Sequence, residues 1–205
     1  MGAPERTLVI ACGALARELL AVIQASAWPH LAIQCLPADL HNRPERITGA
    51  VRDKIRAARG RFAHLFVAYG DCGTGGALDR MLAEEGVERI PGAHCYEFLA
   101  GSAAFERLTD EEPGTFYLTD FLLRHFDRIV IRGLGIDRYP HLASQYFGNY
   151  RRLVYLAQQP GAERIAAARA AAARLGLAFE SQDTGLAPLA RALASANRET
   201  IKWAG

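Results

Sequence analysis

The sequence predicts an α/β protein: a doubly wound, mostly parallel, Rossmann-like sheet, laid out as one domain or as two βαβ lobes around a central crevice. Three observations predict it. The chain opens on Thr7-Leu8-Val9-Ile10-Ala11-Cys12-Gly13, a short β-branched run stopped by glycine, the pattern of a buried parallel strand. Strand-like runs then alternate with helix-period stretches as far as residue 99. A second strand–helix–strand unit closes the chain from Arg152 onward. The 205 residues, half of them hydrophobic, suffice for one large core or two small ones. Residues 1–194 read as the α/β domain, with 1–110 and 111–194 as the two lobes if it divides, and 195–205 as a tail.

The elements follow in order. Residues 14–25 present Leu15, Leu19, Leu20, Val22 and Ile23 on an apolar face, and Trp28-Pro29 ends that helix. Residues 31–36 are a second strand, with Cys35 inside it as a core residue. Residues 37–42 form a loop. A helix follows over 44–58, with Asn42 as its cap, Pro44 in its first turn and Ile47, Val51 and Ile55 as its buried stripe. The third strand runs from Leu65 to Tyr69, and its helix ends at Gly86. A short fourth strand, 87–91, bends at Gly92-Ala93 into a helix that begins at His94.

The middle is less regular: a helix over 103–109, a turn at 111–114 and a strand at 115–119. Thr119 or Asp120 caps a helix over 121–126, and a packed aromatic face spans 139–150. The closing unit is a strand at 152–157, an alanine-rich helix at 162–175 ended by Gly176, a strand at 177–180 and a helix at 186–194.

Composition excludes several classes of function. Net charge is +2, from 24 basic and 22 acidic residues with no run of one sign, so no nucleic acid is expected as partner. No apolar stretch approaches the roughly 20 residues of a membrane span, and the first residues lack a signal-peptide layout. The expected place is therefore cytoplasmic, where the four cysteines stay reduced.

The chemistry gathers at Tyr69-Gly70-Asp71-Cys72-Gly73-Thr74-Gly75-Gly76, a strand that breaks into glycines and restarts as a helix. With strands in the order 2-1-3-4, Cys12 ends the first, Cys72 follows the third and Cys95 starts the helix after the fourth. All three then fall at the carboxyl edge, where such sheets bind ligands. Helix N-termini favour thiolates at Cys72 and Cys95. Three thiolates with an open position suit a soft or borderline metal, zinc first and a 4Fe-4S cluster as the alternative. Gly73, Thr74 and Gly75 offer backbone N–H groups to an anionic part of a ligand. Asp71, His94 and Glu97 are the candidates to move protons.

Each residue has a plainer role beside this one. A cysteine ending a buried strand is also a small apolar filler, and Cys12 admits both. His94 also suits a helix cap or the surface, and Asp71 an Asx-turn. His41 and His125 carry a weaker signal. The glycine turn is neither a P-loop nor a dinucleotide fingerprint, since no Gly-Lys-Ser/Thr and no Gly-x-Gly-x-x-Gly is present in it.

Five segments together resemble the domain-of-unknown-function family 1638: Ala11-Cys12-Gly13-Ala14-Leu15; Leu40-His41-Asn42; residues 69–76; His94-Cys95-Tyr96-Glu97-Phe98-Leu99-Ala100-Gly101; and Pro113-Gly114-Thr115-Phe116-Tyr117-Leu118-Thr119. The resemblance covers nearly the whole chain, to about Leu193, and its pattern places cysteines where Cys12, Cys72 and Cys95 stand. It implies an association with corrinoid-dependent methyltransferases for methylated amines. The expectation is a metal-dependent enzyme of methyl-group or one-carbon metabolism. Its metal, held by Cys12, Cys72 and Cys95, binds a small-molecule substrate or thiol acceptor. One alternative is a non-enzymatic metal or corrinoid protein that assists a methyltransferase. The other is a metal-free enzyme with Cys72 as nucleophile.

Overall fold

The computed structural model describes residues 6–197. The chain divides into two compact units, one up to Phe98 and resuming at Leu189, the other Leu99–Pro188. Among the described residues no helix is long and apolar enough to cross a membrane.

The first unit is built on β1 (Thr7–Cys12), β2 (Leu31–Leu36), β3 (His64–Ala68) and β4 (Glu88–Arg89), all parallel and in the order β2-β1-β3-β4. This is the order the sequence predicts. β1 is buried at every position, as a mostly apolar strand covered on both faces must be. Leu8, Ile10 and Cys12 share one face of the sheet with Val67 and Tyr69. On that face lie α2 (Ile47–Ala58), through Ile47, Val51 and Ile55, and α3 (Ala77–Glu85), through Leu78, Met81 and Leu82. The spacing i, i+4, i+8 on α2 is what puts its three branched side chains on the core, each contributing about 2 kcal/mol of burial. α1 (Ala16–Ala25) buries Leu19 and Val22.

Four expectations change in this unit. Residues 38–42 are a short 3-10 turn rather than loop, and the chain enters α2 from Arg43 through a second one, Pro44–Arg46; the side chain of Asn42, the expected cap, lies outside what the structure describes. Cys35 is exposed, not core: it lies on the edge strand, in register with Ala11, on the face opposite Cys12. β4 has two residues only. Ile90 still donates to Val67 O at 3.0 Å, but Pro91 has no N–H to give and Gly92 turns away at φ 135.

α4 (Cys95–Ala100) begins in the first unit and ends in the second, which continues with α5 (Ser102–Glu111) and then a separate parallel sheet. Its strands β5 (Thr115–Thr119), β6 (Arg152–Ala157) and β7 (Ala178–Asp183) lie in the order β5-β6-β7. The closing strand–helix–strand unit therefore pairs with β5 and does not extend the first sheet. β6, buried throughout, is its centre. α8 (Ala162–Leu175) packs Ala168, Ala171, Ala172 and Leu175 into this core and stops at Gly176, whose φ is 72.

Thr119 caps α6 (Asp120–Arg124), accepting the Leu122 N–H at 3.2 Å. A π-helical stretch, Asp127–Arg132, was not foreseen, because i→i+5 winding escapes a search at the α-helical period. The packed aromatic face expected across 139–150 is only partly formed: α7 (Leu142–Phe147) buries Phe147 but leaves Tyr139 and Tyr146 exposed. The last helix is α9 (Ala187–Leu193).

At the carboxyl edge of this second sheet a polar cluster closes on itself. Asp120 is buried; it accepts the Tyr155 hydroxyl at 2.5 Å and the Gln159 N–H at 3.0 Å. Its own N–H goes to Gln158 Oε1 at 3.0 Å, and Gln158 Nε2 donates to the Leu156 carbonyl at 2.5 Å.

Candidate functional site

The carboxyl edge of the first sheet is different. β3 ends at Ala68, and the backbone of Tyr69 to Cys72 runs beside the bend that follows β4. Asp71 N–H donates to Gly92 O at 3.1 Å and Cys72 N–H to Ala93 O at 2.9 Å. Gly70 makes the close approach feasible: a Cβ there would stand 2.9 Å from the His94 backbone. Arg89 locks the two loops. Its guanidinium grips Asp79 at 2.5 and 2.8 Å and forks through Nη1 to the carbonyls of Ile90, at 2.8 Å, Gly92, at 3.1 Å, and Tyr69, at 3.4 Å.

This arrangement puts Cys72 beside His94 and Cys95. Cys72 itself has φ 48, the left-handed region that a side chain enters only under constraint, at a cost of order 1 kcal/mol. The Cys95 thiol lies within hydrogen-bonding reach of Cys72 Sγ, as do the imidazoles of His41 and His94. The hydrogen bond from Cys95, with those from the two histidines, holds Cys72 well below the ordinary thiol range despite its burial. The same contact, with burial, pushes Cys95 well above it, so of the pair Cys72 carries the charge. The bond to Cys72 raises His94. Both cysteines are buried, whereas His41 and His94 are exposed, so the imidazoles stand on the solvent side of the thiolate.

Cys12 is near but apart. Burial pushes its thiol up to about 11. It takes a hydrogen bond from the Ala14 N–H and lies beside the Tyr69 hydroxyl, and it feels the charge of Cys72 without touching it. Tyr69 is 2 % exposed, its hydroxyl has no hydrogen bond of good geometry, and burial raises its pKa. So all three cysteines converge on one edge of the sheet, but only Cys72 and Cys95 meet.

The other predicted site residues brace the loops. Asp71 accepts the Thr74 hydroxyl at 2.6 Å, the Gly75 N–H at 3.1 Å and the Gly76 N–H at 2.9 Å. The Thr74 bond is the main reason its carboxyl sits below the usual range. The donors of Thr74 and Gly75 thus already hold an anion, the chain's own, while exposed Gly73 lies against Pro44. Glu97 accepts the Ala93 N–H at 3.2 Å and steadies the bend ahead of His94. Of the three candidate proton movers, His94 is the one placed on Cys72.

Sequence reasoning underrated His41. Its signal was the position of Leu40-His41-Asn42, just past the carboxyl end of β2. Arg89 gave no signal, because its partners are carbonyls of loops joined only by folding.

Among the described residues no three His, Cys, Asp or Glu side chains are grouped to hold a metal ion.

No curated protein matches the chain, and no solved structure does. A family model does match, over residues 35–193. That span includes His41, Cys72, His94 and Cys95 and starts beyond Cys12, so the similarity is shorter than the near-complete coverage expected. The chain belongs to that family, described as a protein of unknown function, DUF1638.

Proposed function

We propose that the chain is an enzyme whose reactive group is the Cys72 thiolate, acting on a soft electrophilic centre of a small molecule. The observation that carries this is the hub at Cys72: one sulfur, in a strained turn, contacted by the Cys95 thiol and by two exposed imidazoles. Cys72 Sγ attacks. His94 gives a proton to the leaving group, and His41 steadies the thiolate. The Cys95 thiol donates to the resting thiolate. Methyl-group chemistry, expected from the family resemblance, agrees with this role, since thiolates are good acceptors of alkyl carbon.

The test is competitive labelling with iodoacetamide at neutral pH after chelation, mapped peptide by peptide. Cys72 is expected to label well ahead of exposed Cys35. Labelling of Cys35 alone would refute the proposal.

A second reading has an observation of its own. Cys12, Cys72 and Cys95 are all buried and feel one another's charge, and the Tyr69 hydroxyl beside them has no partner. That donor chemistry suits a soft cation, with the three cysteines as the residues that would hold zinc or a 4Fe-4S cluster after turning toward a common centre. Such a group would supply Lewis acidity or an open coordination position. Stoichiometric zinc or iron in protein purified without chelator, lost on Cys12→Ala, favours this reading. Metal content that is absent, or unchanged in Cys12→Ala, removes it.

A further inference from the structure

We propose that Cys72 and Cys95 form a working dithiol that exchanges with a small-molecule disulfide and closes into a reversible disulfide bond. The inference deepens the thiolate role of Cys72, on which it rests, by naming the electrophile as sulfur. It stands on placement. Cys72 leaves β3 and Cys95 opens α4, yet the two segments are tied side by side by the Asp71–Gly92 and Cys72–Ala93 hydrogen bonds. Gly70 lets the backbone before Cys95 come to contact distance. The two thiols lie within hydrogen-bonding reach, and both are free. Cys12, the remaining buried cysteine, interacts with Ala14 and Tyr69 instead. Segments tied this closely bring the two residues toward the Cβ separation of roughly 3.5–4.5 Å that a disulfide requires.

The partners of each sulfur divide the labour. Cys72 has two imidazoles against it and attacks first. Cys95 has Cys72 as its thiol neighbour and resolves. In the first step Cys72 Sγ bonds to one sulfur of the substrate, the S–S bond breaks, and the leaving thiolate takes a proton from His94. In the second, Cys95 Sγ gives its proton to the now neutral His94 and bonds to Cys72 Sγ. The second substrate thiolate leaves and is protonated in turn. The substrate gains two electrons and two protons and becomes two thiols, while the dithiol becomes a disulfide. A thiol reductant reverses the sequence.

The test uses the full chain carrying Cys35→Ala, fully reduced, chelator-treated and exposed without oxygen to 2-hydroxyethyl disulfide. Intact mass and peptide maps read the result. The expected product has lost two hydrogens and contains a Cys72–Cys95 linked peptide. Cys95→Ser, with Cys95→Ala as a second variant should serine disturb the fold, is expected to stop at a mixed disulfide with a 2-hydroxyethylthio group on Cys72. A stable adduct on Cys72 with Cys95 still free overturns the dithiol and leaves the Cys72 thiolate standing. A link from Cys72 to Cys12 also overturns it. No adduct on Cys72 in any of the three proteins overturns both proposals at once.

Discussion

Tyr69 and Tyr155 stand toward the carboxyl ends of two parallel sheets in one chain, and both are buried. Tyr155 gives its hydroxyl to Asp120 at 2.5 Å, inside a cluster where Gln158 and the Gln159 N–H complete the bonding. Tyr69 has no such polar partner: its hydroxyl lies beside the Cys12 thiol without a hydrogen bond of good geometry. A buried hydroxyl without a partner costs about 1–3 kcal/mol. The second sheet avoids that cost. The first sheet tolerates it, and adds a cysteine at positive φ three residues later. A closed polar cluster makes structure. An open one, next to strain and a thiolate, marks the place where a ligand or a reaction completes the bonding.

Substitutions that break one cluster and spare the other sharpen this contrast. Asp120→Ala should have the largest effect, a loss of about 3 kcal/mol, because it orphans the Tyr155 hydroxyl and the Gln159 N–H together. Urea unfolding measures it, and Cys72 labelling should not change. A loss below about 1 kcal/mol would mean that the cluster is not structural.

Arg89→Ala should cost about 2 kcal/mol and also slow Cys72 labelling, since Arg89 clamps both loops of the site. Arg89→Lys should not restore the labelling rate, because an ammonium cannot span Asp79 and the carbonyls as a fork does. Full rescue by lysine would show that charge, not geometry, is what matters.

The two tyrosines make the cleanest pair. Tyr155→Phe should cost about 1–2 kcal/mol, while Tyr69→Phe should be neutral or stabilising by up to about 1 kcal/mol. Equal losses in the two variants would erase the distinction between the sheets.

The smallest effect concerns acid. Asp71 has its folded pKa below the unfolded one, so its stabilisation is present above the ordinary carboxylate range and is lost as pH falls through the folded value. Because Asp71 is part-exposed, Asp71→Asn should remove less than about 1 kcal/mol at neutral pH and flatten the acid limb of the stability curve. An unchanged acid limb would count against the Asp71–Thr74 bond.

Much of the fold was legible because it is local. An apolar β1 stopped by glycine reads as a central strand, and the order 2-1-3-4 then puts the ends of β1 and β3 side by side. Cys12, Cys72 and Cys95 were placed at the correct edge by counting from strand ends. What stayed hidden depends on register and on bonds between distant loops. Cys35 reads as core until the register with Ala11 puts it on an uncovered part of the edge strand, on the face opposite Cys12. Asp71 reads as a site acid until its three donors are seen. Arg89 ties the bend beside it to Asp79 and to the end of β3, and His41 acts on a cysteine 31 residues on; no period reports that. The separate second sheet was hidden too, since a closing strand–helix–strand unit fits either an extended sheet or a new one.

The most direct test of the account is the pH dependence of Cys72 alkylation by iodoacetamide in the Cys35→Ala protein. The account predicts a rate that stays flat from about pH 8 to about pH 6, because Cys72 is held as thiolate by the Cys95 thiol and the two histidines. A rate that falls about tenfold per unit below roughly pH 8.5, as an ordinary thiol's does, would contradict it.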